Sequence, residues 1–121
     1  MDSAHGVMAI ADLDRALEWQ AVHAEQGGSP VTARVVRAFR ALADGGTLCG
    51  ERMLNWPGLK LEDAMPLRLA GGFHHLHLSG DEPRLAPVYA GTLTDQAAVD
   101  ALLLAVTSDH DARLAQWLDG P

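Results

Sequence analysis

Apolar and small residues recur at helical steps from Met8 to Gln26, at Ile10, Leu13, Ala16, Leu17, Ala21 and Ala24, and Gly27-Gly28 ends the run. Ser29-Pro30 then supplies an N-cap followed by proline at the first helical position, where its missing N–H costs nothing. That second helix is predicted to reach Asp44 before Gly45-Gly46, with Val31, Val35, Phe39 and Leu42 inward and Arg34, Arg37 and Arg40 on a solvated face. A short helix over Thr47–Leu54 and a turn at Asn55-Trp56-Pro57-Gly58 follow, Trp56 covering one end of the core. The last helix starts at Asp95, after a turn in which Thr94 is the candidate cap. Its stripe is Val99, Leu102, Leu103, Val106, His110, Leu114 and Trp117, with a candidate break at Thr107-Ser108-Asp109 where Ser108 would cap the second half.

One stretch differs from the rest. Met65 to Gly80 is apolar on nearly every side, and a helix apolar all round is normally buried all round. Pro66 suits its first turn and Gly80 its C-terminal cap, while its length is too great for an ordinary buried strand. Gly71-Gly72 should each cost about 1 kcal/mol relative to alanine in mid-helix. Close approach of a neighbouring helix would offset that cost, and leucine at either position should then destabilise. The expected architecture is all-α, an orthogonal bundle of about five main helices around a central buried helix, residues 66–79, in a single domain over residues 1–121. No segment alternates cleanly enough for a strand.

Composition adds constraints. Aromatic residues make up only 5% of the chain, so the core is expected to rest on Leu, Ala and Val, with Trp19, Trp56 and Trp117 as its large pieces. The net charge of −7 argues against nucleic acid or an anionic membrane as partner, since neutralising phosphates needs clustered cations. Cys49 is the single cysteine, which fits a reducing cytoplasm, and no apolar run is long enough to span a bilayer. The start, Met1-Asp2-Ser3-Ala4-His5, lacks the basic region of a signal peptide, so the protein reads as cytoplasmic.

Gly28-Ser29-Pro30, Phe73-His74, the Leu78-Ser79-Gly80 helix end, Leu85 to Tyr89, and finally His110 and Leu114 together form a pattern. It resembles a bacterial domain-of-unknown-function family, family 2332, from near Trp19 onward. The resemblance implies a longer architecture, in which a glycine-rich, methyltransferase-like region follows beyond Asp119-Gly120-Pro121. This chain would then be the amino-terminal helical part, without the portion that binds a nucleotide.

No catalytic motif stands out. His74 and His77, three apart on one helix, can reach a common metal with His110 or an acidic residue as third ligand, but no ligand sits at a diagnostic spacing. The preferred reading has no metal and no cofactor: His74 and His110 are expected to meet in the core with Tyr89 as a polar contact. Arg68, between leucines, needs a carboxylate or carbonyl partner if buried, or serves as anchor for an anionic ligand. Arg68, His74, Tyr89 and His110 are therefore the candidate ligand-binding residues. Cys49 has no nearby histidine to activate it, and Ser79 and Ser108 occupy cap-like positions. The leading functional expectation is a non-catalytic interaction module that buries an apolar face against a second copy or a missing C-terminal domain. The alternative is a helical substrate cap of a methyltransferase-like enzyme completed downstream.

Overall fold

The computed structural model describes residues 2–119; Met1, Gly120 and Pro121, the ends of the expected single domain, lie outside the described residues. Six α-helices occur among them, α1 (Asp2–Gln26), α2 (Pro30–Asp44), α3 (Leu48–Leu54), α4 (Met65–Leu78), α5 (Ala86–Tyr89) and α6 (Gln96–Asp119). A single 3-10 turn, Pro83–Leu85, precedes α5, and no described residue is in a strand. The protein is an all-α bundle.

Capping chemistry sets the boundaries as the sequence predicts in most places. Ser29 Oγ accepts from the Thr32 N–H at 3.3 Å, Pro30 opens α2, and Thr47 Oγ1 accepts from the Gly50 N–H at 2.9 Å to start α3. At α6 the cap is Asp95 and not Thr94: its carboxylate accepts from the Ala98 N–H at 3.0 Å. Ala64 enters α4 in the left-handed region, φ 52°, with no side-chain cap.

α2, and not α4, is the hub. It packs broadly against both α1 and α6, touches α3 and α4, and buries Ala33, Val35, Val36, Ala38, Phe39 and Leu42. Those positions spread over much of its circumference. The arginines that seemed to give it a solvated face are turned to use: Arg37 donates to Glu18 at 3.0 Å and to Glu25 at 2.6 Å, and Arg40 pairs with Asp14 at 2.7 Å, tying α2 to α1. Helix α4 buries only one side, Met65, Leu69, Phe73 and Leu76, with Phe73 stacked on Phe39 at 5.5 Å. Its other side, with Leu67 44% and Leu78 70% exposed, is open. All-round apolarity here marks an apolar outer face and not all-round burial.

Of the three tryptophans, only Trp56 packs against the core as expected; Trp19 lies on the surface, stacked on His23 at 3.6 Å. Trp117 is half-buried because its ring covers Gly71 and Gly72, the close approach that the paired glycines suggest. The break in α6 falls at His110 (φ −131°, ψ 22°), and Ser108 does not cap it: its Oγ bonds back to the Leu104 carbonyl at 3.0 Å, as Thr107 does to Leu103 at 2.7 Å. Such back-bonding bends helices.

Candidate functional site

The four candidate residues do not converge; they fall in three places. His74 and Tyr89 do meet, their rings 5.4 Å apart, and His77 stacks on the same phenol ring at 4.6 Å. His74 and Tyr89 line a groove of about 420 Å³ between the first turn of α2 and the outer face of α4. Val31, Val35, Leu67 and Ala70 form its walls. Two of its hydroxyls are committed, Ser29 and Thr32 lying 2.7 Å apart as part of the α2 cap. Burial pushes the Tyr89 phenol above its ordinary value, so it stays protonated. The lining holds no carboxylate, lysine or arginine. The walls of the groove are thus mainly apolar.

Arg68 sits elsewhere. It is exposed, its Nε donates to the Asp63 carbonyl at 3.3 Å, and its guanidinium lies 5.2 Å from the centre of the Trp56 ring. It lines a separate cleft with Arg52, Asn55, Trp56, Pro57, Leu118 and Asp119.

His110 is a packing residue at the kink of α6, and the expected core meeting with His74 does not occur. Its Nε2 lies 3.1 Å from Oε1 of the buried Glu82. The same carboxylate receives Arg84 Nε at 2.9 Å and Nη2 at 2.6 Å, and Arg84 continues to Asp109 at 2.6 Å. The Arg84 guanidinium lowers the Glu82 carboxyl to about 2, against the opposing push of burial and with further help from His110. Among the described residues no three His, Cys, Asp or Glu side chains gather as a metal site, and His74 and His77 share Tyr89 instead.

Cys49 is fully buried, and burial, followed by its contact with Asp111, raises its thiol, which suppresses the thiolate. The residue that sequence reasoning missed is Asp111. From α6 its carboxylate accepts the Leu48 N–H at 2.7 Å and the Cys49 N–H at 3.0 Å, capping α3 from another helix. No sequence spacing signals a cap supplied 62 residues away.

Comparison with known proteins places residues 14–121 under the model of a family described as an uncharacterized protein conserved in bacteria, DUF2332. No curated protein and no solved structure matches.

Proposed function

We propose that this chain, which belongs to that uncharacterised bacterial family, is a non-catalytic helical interaction module of the cytoplasm that docks a partner helix in the α2–α4 groove. One observation carries the reading: Leu67, His74 and Leu78 lie on one stripe of α4 at steps of seven and four and are exposed, with Gly71 between them at the edge of the Trp117 ring. That is the spacing of a helix-packing seam, and it runs for about 16 Å at the helical rise. On a chain of net charge −7 the groove beside it is lined by no Asp, Glu, Lys or Arg, and exposed apolar surface at such a place supports an interaction site. No described helix is long and apolar enough to cross a membrane.

The substrate-cap alternative draws less support, because Arg68 and His74, which it needs in one concave site, open into separate ones. Sedimentation velocity tests the proposal, on the chain alone and mixed with the downstream portion of a longer family member. A complex with a second copy or with that portion is expected, and Leu67→Asp with Leu78→Asp should abolish it while circular dichroism stays unchanged. A wild-type chain that remains monomeric at high concentration and ignores the downstream portion overturns the reading.

A further inference from the structure

We propose that the cleft bounded by α3, the 55–58 turn, the start of α4 and the end of α6 binds an oxyanion, carboxylate or phosphate, carried on a small apolar body. Acidic side chains outnumber basic ones sixteen to nine, so a cation here rarely lacks a partner. Among the described residues every lysine and arginine lies within ion-pair distance of a carboxylate except Arg34 and Arg68. Arg34 is only partly exposed on α2, and its Nη1 is enclosed without a hydrogen-bond partner. Among the described residues Arg68 is therefore the one exposed arginine without a carboxylate partner, and it lines a cleft of about 390 Å³, within the size range of small-molecule sites.

The local geometry holds that guanidinium ready. Asp63 fixes it twice over: the carbonyl takes Arg68 Nε at 3.3 Å, and the carboxylate takes the Trp56 indole N–H at 2.8 Å and the Leu59 N–H at 3.1 Å, setting the ring on which Arg68 rests. Both Nη atoms of Arg68 are without a protein acceptor among the described residues, leaving the end-on fork that matches a carboxylate or phosphate. Arg52 faces the same cleft and is paired with Asp119, the only carboxylate in the lining, so the resident acid is already engaged. Pro57 and Leu118 supply apolar wall for the rest of the ligand. Fixing the receptor before the ligand arrives reduces the ordering cost of binding. Covering the indole would explain Arg68 alone; it does not explain a cleft with a second guanidinium on its rim.

Nuclear magnetic resonance on the nitrogen-labelled chain tests this, following the Trp56 indole N–H and the Arg68 Nε–H during titration. The probes are hydrocinnamate, its neutral isostere hydrocinnamamide, and phenyl phosphate. Saturable shifts at both signals with hydrocinnamate or phenyl phosphate, and none with the amide, are expected, and the tighter of the two names the oxyanion. Arg68→Gln, an exposed and structurally mild change, should weaken binding about tenfold or more, with Arg68→Lys in between. Equal binding of the amide, or wild-type affinity in Arg68→Gln, overturns the proposal.

Discussion

Three glycines look alike in the sequence and differ sharply in what surrounds them. A Cβ on Gly50 would lie 2.6 Å from Ala43 Cα and closer still to the Leu42 carbonyl, both backbone of α2 that cannot move aside. Gly50→Ala should cost roughly 3 kcal/mol, the range of overpacking against rigid atoms. At Gly72 the added methyl would meet Trp117 Cγ at 2.9 Å, a side chain at the surface that can shift, so Gly72→Ala should lose about 1–2 kcal/mol. Gly71 has the same ring at 3.6 Å, ordinary contact, and Gly71→Ala should be neutral or gain up to about 1 kcal/mol through helix propensity. Urea unfolding of the three variants checks the order, and a Gly50→Ala protein as stable as wild type would contradict the packing of α3 on α2. The sequence flagged Gly71-Gly72 because two adjacent glycines in a helix are conspicuous; Gly50 in a short helix carried no such signal.

At the scale of one element, α3 is the informative case. Seven residues cannot hold a helix unaided, since nucleation is unfavourable and few bonds follow it. Thr47 caps it locally, and Asp111, immediately after the non-helical His110, takes two more of its leading N–H groups. Asp111→Ala should therefore cost about 1–2 kcal/mol. Amide exchange at Leu48 and Cys49 should accelerate well beyond that at α2, a signature that a general loss of stability would not produce. Sequence reading placed a short helix over Thr47–Leu54, one residue longer than α3, and missed Asp111, because a cap recruited from a distant helix leaves no local pattern.

Across the whole molecule, a charged cluster joins the 81–84 segment to the kinked part of α6, with Asp81 paired to Arg113 at 2.8 Å beside the Glu82, Arg84, Asp109 and His110 contacts. Glu82 has the clearest pH consequence. Its carboxyl titrates near 4.5 when free and at about 2 when folded, so between those values the unfolded chain binds the extra proton. The stability that Glu82 contributes is complete above about pH 4.5 and is lost as pH falls toward 2. Glu82→Gln should lower stability at neutral pH and flatten the acid side of the stability curve. Urea midpoints measured from neutral pH downward report this, and parallel curves for the two proteins would contradict it.

What the sequence determined by itself was local: helical class, the end of α1 and start of α2 through Gly27-Gly28 and Ser29-Pro30, and the glycine notch in α4. Caps, periodicity and backbone freedom act within a few residues, so they can be read along the chain. Only the tertiary structure decided which helix is central, because an apolar side chain looks the same in sequence whether it faces a core or an open groove, and an arginine the same whether it faces water or a carboxylate on α1. It also decided that Arg68, His74 and His110 part company, since their positions depend on where α3, α5 and the bend in α6 come to rest against α4 and α2.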